Sequence, residues 1–105
     1  MHLKLSPLIF GCALVAASAA QAEDAQALLG KYNCNFCHAR DEAKTGPAFI
    51  DIAERYSGDT QAIAKLTVEI RNGAHGAGPW HMPPHPEVSE ADARSMARYI
   101  LALKK

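Results

Sequence analysis

The stretch Cys34-Asn35-Phe36-Cys37-His38 fits the pattern C-x-x-C-H, in which two thiols three positions apart are followed directly by a histidine. This pattern is the signature of covalent haem attachment. Two thiols at this spacing can reach the two vinyl groups on one edge of a porphyrin, and the histidine then lies beneath the ring, where a neutral imidazole nitrogen can bind iron. The stretch therefore predicts one haem c, attached through Cys34 and Cys37, with His38 as an iron ligand.

Other kinds of protein also use a C-x-x-C pair: a thioredoxin-like dithiol, a simple disulfide, or half of a zinc site. A thioredoxin-like protein needs a βαβ context, and a zinc site needs a second ligand pair at metal spacing. The sequence offers neither pattern. A disulfide between Cys34 and Cys37 in an exported, haem-free thiol-disulfide protein stays open as an alternative.

The N-terminus predicts export. A short cationic start, an apolar run over residues 7–20 and the small-x-small sequence Ala20-Gln21-Ala22 are typical of a cleaved signal peptide. We predict a signal peptide over residues 1–22 and one mature domain over residues 23–105, in the bacterial periplasm. The apolar run is shorter than the ~20 residues that a membrane-spanning helix needs. Lipid attachment at Cys12 is a further alternative.

The composition excludes several classes of partner and fold. The 105 residues carry eleven basic and eleven acidic side chains, so neither nucleic acid nor an anionic membrane is an expected partner. Apolar residues recur at helical spacing, and no segment alternates with the period of a strand, which predicts an all-α fold. Four short helices are predicted, over residues 23–32, 48–56 and about 59–71, and after a cap at Ser89. Such helices make a thin core for a small domain, so a cofactor is expected to fill its centre.

Three local features refine this prediction. The first helix is expected to present Ala27, Leu28 and Leu29 as its apolar face. In the last helix, Asp92 stands three residues after Ser89 as an imperfect capping-box partner. Between the last two helices, the Gly- and Pro-rich residues 73–86 are predicted to form an irregular loop.

Met82 is the candidate for the second axial position on the iron. It lies in the irregular stretch 79–84, where the following Pro83 favours an extended backbone suited to presenting a thioether. Met96 lies on the apolar stripe of the last helix and is predicted to pack in the core. A histidine–methionine pair raises the haem potential and leaves no open position on iron, which favours electron transfer over oxygen chemistry.

Three histidines near Met82 are expected to lie on the surface: His75, His81 and His85. His81 should point away from the iron if its neighbour Met82 points toward it. A haem enzyme or gas sensor, with Met82 displaced and an open iron position, is the alternative. The sequence supplies no distal acid or base for it beyond these histidines.

The order of C-x-x-C-H, Gly46-Pro47, Met82-Pro83-Pro84 and a final amphipathic helix resembles that of the class I monohaem cytochromes c, and most closely the bacterial cytochrome c-551 group. The resemblance covers essentially the whole predicted mature chain. The specific motifs lie in residues 44–48, 70–73 and 81–84. The resemblance implies a globule in which the first and last helices cross and the haem lies between the His38 side and the Met82 loop.

The resemblance also implies roles for Pro47 and Trp80. In this family the carbonyl matching Pro47 accepts a hydrogen bond from the second ring nitrogen of the iron-binding histidine, here His38. Relatives often place a tryptophan near a haem propionate, where this chain has Ala77. Trp80 is therefore expected either to cover a face or edge of the haem or to pack into the core.

The function implied by the resemblance is that of a monomeric periplasmic electron carrier rather than an enzyme. Such a protein shuttles single electrons between a membrane bc-type complex and a terminal reductase, oxidase or peroxidase. Docking is expected at a partly exposed haem edge bordered by Ala77, Gly78 and Pro79, through a small and weak interface. No nucleic acid and no stable membrane insertion are expected.

Overall fold

The structure, a computed structural model, describes residue 11, residues 25–76 and residues 81–105. The predicted signal peptide, with Cys12, lies outside this range apart from residue 11, and so do the four residues 77–80 that include Trp80. The prediction of a cleaved signal therefore stays a prediction. Among the described helices, none has the length and apolar character needed to cross a bilayer.

Helices form most of the regular structure, which confirms the all-α fold class. The first, α1, covers residues 25–31 of the described part, and a 3-10 turn at Cys34–Phe36 follows it. The remaining elements are α2 (Phe49–Arg55), α3 (Ala62–Asn72), β1 (Ala74–His75), β2 (His81–Met82) and α4 (Glu90–Leu101). The predicted helices are thus all present, with small differences at their ends.

The start of α3 differs from the prediction because Asp59 forms a turn ahead of the helix. Its carboxylate accepts a hydrogen bond from the Gln61 amide at 2.8 Å, and its carbonyl accepts one from the Ala62 amide at 3.2 Å. A side chain that bonds the backbone two residues on favours a turn over a helix. The hydrogen bond from Lys65 also lowers the pKa of the Asp59 carboxyl. At the other end, Gly73 stops the helix with a φ of 86°.

The prediction that residues 73–86 lack regular structure was wrong in part. β1 and β2 pair antiparallel, with Ala74 opposite Met82 and His75 opposite His81. Strands of two residues are too short to show a period in the sequence. Whether such short strands form is therefore determined by their pairing with residues elsewhere in the chain.

The hydrophobic core lies where α4 packs against α2 and α3. Met96 is fully buried there, in agreement with its predicted packing role. The buried core residues are Leu29, Phe49, Ile52, Leu66, Ile70, Val88, Ala93, Met96, Ala97 and Ile100. Cys34 and Met82 both pack against this cluster as half-buried side chains, so residues far apart in the chain meet at one core.

The first and last helices are joined by two side-chain hydrogen bonds. Tyr32, just after α1, donates to the Asp92 carboxylate at 2.6 Å, and Gln26 donates to the Tyr99 hydroxyl at 2.6 Å. The bond to Asp92 raises the pKa of the Tyr32 hydroxyl.

The predicted apolar face of α1 is wrong at one position, because Ala27 is exposed.

Ser89 caps α4 as predicted, because its hydroxyl accepts a hydrogen bond from the Asp92 amide at 3.1 Å. The capping-box role predicted for Asp92 is wrong, because its carboxylate accepts a hydrogen bond from Tyr32 and has none from the Ser89 amide among the described residues. The residue that the sequence assigned to local capping therefore makes a tertiary contact instead.

Candidate haem-binding site

The two cysteines and the histidine of the motif lie on one tight turn. The Cys34 carbonyl accepts hydrogen bonds from the Cys37 amide at 3.3 Å and from the His38 amide at 3.1 Å. Asn33, with a φ of 59°, turns the chain out of α1 into this 3-10 turn. Both cysteine side chains are half-buried. Burial raises the pKa of the Cys34 thiol, which favours its protonated form.

The His38 ring is buried and held in one tautomer. Its Nδ1 lies 2.7 Å from the Pro47 carbonyl oxygen. A carbonyl can only accept a hydrogen bond, so Nδ1 carries the proton and the lone pair resides on Nε2. Within the described residues Nε2 has no hydrogen-bond partner. This arrangement orients an imidazole as a metal ligand, and it contains the contact that the family resemblance implies for Pro47.

Gly46 and Phe49 form the walls against which the His38 ring lies. A Cβ at Gly46 would lie 2.5 Å from His38 Cε1, so only a glycine allows this approach. The Phe49 ring stacks on the imidazole with centroids 5.1 Å apart and planes at 21°. Sequence reasoning read Gly46 as a turn residue and Phe49 as part of a helix face. It missed both contacts, because no local pattern encodes them.

Met82 lies on the inner side of the β1–β2 ribbon. Successive residues of a strand point to opposite faces, and Met82 is half-buried while His81 is exposed. Met82 and His81 therefore point to opposite faces of the strand, as predicted. His75 is exposed as well, which confirms the surface positions predicted for it and for His81.

The segment that carries Met82 is held closely to the end of α3. Gly73 allows the approach, since a Cβ there would lie 2.7 Å from the Met82 carbonyl oxygen. Arg71 holds the following residues at two points: its carbonyl accepts from the His85 amide at 3.1 Å, and its Nε donates to the Val88 carbonyl at 3.1 Å. These hydrogen bonds were not predicted from the sequence. The local indication was the apolar side chain of Val88 in a polar stretch, and this side chain is buried in the structure.

His85 departs from its predicted surface position. The side chain is half-buried, and its Nδ1 is buried without a hydrogen-bond partner among the described residues. A buried polar atom normally has a partner. Trp80 lies outside the described residues, so its role stays a prediction.

These residues fit a haem. The site offers two cysteine side chains on one turn, an imidazole with its lone pair on Nε2, and a thioether at the edge of the same core. The described residues contain no group of three or more His, Cys, Asp or Glu that could hold a metal ion. A haem needs only axial ligands from the protein, because the porphyrin supplies the other four donors.

Comparison with known proteins shows to which family the chain belongs. The family model for cytochrome c matches residues 22–104. The chain belongs to the cytochrome c family. This cytochrome is 40% identical over 89 residues to cytochrome c-551 of Pseudomonas aeruginosa, covering 84% of this chain and 85% of that protein. It is 43% identical over 93 residues to cytochrome c-552 of Nitrosomonas europaea, covering 88% of each chain.

Comparison with solved structures supports the same family assignment. The crystal structure of wild-type Nitrosomonas europaea cytochrome c552 superposes with a TM-score of 0.73 at 40% identity, covering 75% of this cytochrome and 99% of that chain. The cytochrome carries one covalently attached haem c, and its general function is electron transfer. When bound, the haem iron supplies a one-electron couple between its ferric and ferrous states.

Proposed function

We propose that Cys34 and Cys37 attach the haem, that His38 and Met82 are its axial ligands, and that the protein is a one-electron carrier. The observation that carries this proposal is the alternation in β2, where Met82 faces the core and the adjacent His81 faces solvent. This alternation favours the thioether over the neighbouring imidazole as the iron ligand. Two protein ligands leave no open position for substrate, which favours a carrier over an enzyme or gas sensor.

The His38 tautomer supports the same assignment. With Nδ1 donating to Pro47, the lone pair is fixed on Nε2 and the ring cannot turn without losing a 2.7 Å hydrogen bond. Such a hydrogen bond also raises the basicity of a ligating imidazole. Pro47 therefore acts as a positioning residue, through its backbone.

The test compares two methionine variants in the mature haem protein. Met82→Leu is expected to keep the covalent haem, to lose the weak far-red band of methionine-bound ferric iron, and to lower the reduction potential. Met96→Leu is the matched control, because it removes the other mature methionine at similar volume and typically costs less than about 1.5 kcal/mol. It should retain the band and the potential.

Two results would contradict the assignment. A Met82→Leu protein with an unchanged far-red band and potential would remove Met82 from the iron. A high-spin wild-type protein that binds carbon monoxide without delay would favour the open-site enzyme or sensor. Either result would leave the covalent attachment through the cysteines in place.

We further propose that residues 1–22 are a cleaved signal peptide and that the carrier works as a monomer in the periplasm. The match to the family model begins at residue 22, which supports a domain that starts at this point. Mass spectrometry of the exported protein should give a chain starting at Glu23. A lipid-modified chain starting at Cys12 would contradict this.

The proposed partners are a membrane bc-type complex as donor and a terminal reductase, oxidase or peroxidase as acceptor. Phe36, between the two cysteines, is 77% exposed, so a large apolar ring is available at the surface beside the proposed attachment point. Aromatic side chains are enriched in protein interfaces. A small contact around one such ring suits a carrier that must dissociate quickly.

A further inference from the structure

We propose that His75 and His81 form a surface site for a divalent transition-metal ion of the zinc or copper class. The two residues stand directly opposite each other in the β1–β2 ribbon. Their rings lie 5.4 Å apart between centroids, with planes tilted by 53°. The proposed electron-transfer function uses neither side chain.

The ribbon geometry places the two imidazoles within reach of one ion. Directly opposed residues of an antiparallel pair have Cβ atoms about 4.5–5.5 Å apart, so their side chains project side by side from one face. A zinc ion with bonds of about 2.0–2.1 Å in tetrahedral geometry needs its two nitrogens roughly 3.4 Å apart. Tilted rings at the observed separation reach this spacing by small side-chain rotations.

The pair is also open to solvent and chemically suited to such an ion. His75 and His81 are both exposed, so binding requires no burial of charge. Within the described part of the chain, neither ring has a side-chain hydrogen bond or ion pair. Imidazole suits zinc, copper and nickel, and affinity should rise from zinc to copper. Water completes the coordination, because no third His, Cys, Asp or Glu joins the pair among the described residues.

A bound ion would also link the two strands next to Met82. His81 precedes Met82 directly, and Met82 pairs with Ala74 across the ribbon. Strands of two residues form only a marginal ribbon, so a bridge between His75 and His81 should reduce its opening. Any effect of this bridge on iron ligation rests on the proposed function of Met82, whereas the metal site does not.

The test is a zinc chloride titration of the reduced, isotope-labelled haem protein, followed by calorimetry and amide NMR. Zinc is chosen because it has no redox chemistry with the haem. One zinc per chain is expected, with amide shifts centred on β1 and β2. His75→Ala and His81→Ala should each lower the affinity at least tenfold, because either change removes the chelate. His85→Asn, which removes the neighbouring imidazole of the same segment, should keep the affinity within twofold.

Several outcomes would overturn the site. Zinc affinity that is unchanged by either alanine substitution places the ion elsewhere, and affinity lost in only one of the two variants shows a single ligand instead of a pair. Absence of saturable binding refutes the site outright. The zinc titration of the wild-type protein separates this proposal from the proposed function, because the stoichiometry of binding and its dependence on His75 and His81 are measured without reference to the iron ligand.

Hydrogen exchange tests the link to the ribbon. With zinc bound, amides of β1 and β2 should exchange at least several-fold more slowly, and His75→Ala should abolish the effect. Exchange that is unchanged with zinc bound at both histidines would refute the coupling between the metal and the ribbon.

Discussion

Replacing Gly46 by alanine tests the packing around the proposed iron ligand His38. The new Cβ would lie 2.5 Å from His38 Cε1, 2.8 Å from Nδ1 and 3.0 Å from Nε2. Carbon atoms in ordinary contact are about 3.5–4.0 Å apart, so the ring must retreat by about 1 Å. A retreat of that size stretches the 2.7 Å bond to Pro47 beyond the usual ~3.2 Å limit.

The expected loss of stability follows from these two effects. Overpacking a tight site costs about 1–3 kcal/mol, and loss of a neutral hydrogen bond costs about 1 kcal/mol. Gly46→Ala should therefore lower the free energy of unfolding by roughly 2–4 kcal/mol. The reduction potential should rise, because an imidazole without this hydrogen bond is a weaker electron donor to ferric iron.

The assay is guanidinium denaturation of the haem protein, followed by far-UV circular dichroism and haem absorbance, together with a spectroelectrochemical titration. Gly30→Ala is the matched control. Gly30 lies in α1, is exposed, and has no atom within 4 Å of an added Cβ. Alanine there should stabilise the protein by about 0.5–1 kcal/mol. A Gly46→Ala protein as stable as the wild type, with an unchanged potential, would refute the account of the His38 environment.

Three further changes test other parts of the structure. Gly73→Ala places a side chain at a φ of 86° and 2.7 Å from the Met82 carbonyl oxygen. It should destabilise by at least about 1–2 kcal/mol and weaken the far-red band, and an intact band with wild-type stability would contradict the close approach. Ser89→Ala should cost about 1 kcal/mol in denaturant unfolding; no change would mean that α4 does not depend on this cap. Burial and the hydrogen bond to Glu69 raise the pKa of Tyr56 from 10.0 to about 12. The stabilisation from Tyr56 is thus complete below about pH 10 and lost as pH rises through about 12. The stability difference between wild type and Tyr56→Phe should shrink over that window, and parallel curves would contradict the shift.

Much of the candidate site could be predicted from sequence because its chemistry is local. The spacing of Cys34, Cys37 and His38 is fixed by the reach of neighbouring residues on one turn, so the motif alone specifies haem attachment. The position of Met82 in a proline-rich segment likewise indicated an extended residue suited to presenting a thioether. The helices followed from apolar periodicity and from local stops such as Gly73. Each of these features depends on residues a few positions apart.

Contacts between distant segments could not be predicted in this way. Only the folded chain brings Arg71 to the Val88 carbonyl and Asp92 to the Tyr32 hydroxyl. His85 was expected at the surface, yet the anchored segment holds its Nδ1 in a buried position. These side chains are polar, and apolar periodicity indicates only which apolar residues of a helix face the core, so the sequence carries no pattern that would place them.

The sequence by itself determined the fold class, the helices, the haem-attachment motif and the candidate axial residues, because all of these depend on local spacing and apolar periodicity. The tertiary structure alone decided the burial of His85 Nδ1, the pairing of His75 with His81, and the close approach of Gly46 to the imidazole ring. These features depend on distances between segments that meet only when the core forms. Such distances are a property of packing and leave no signature in the order of the residues.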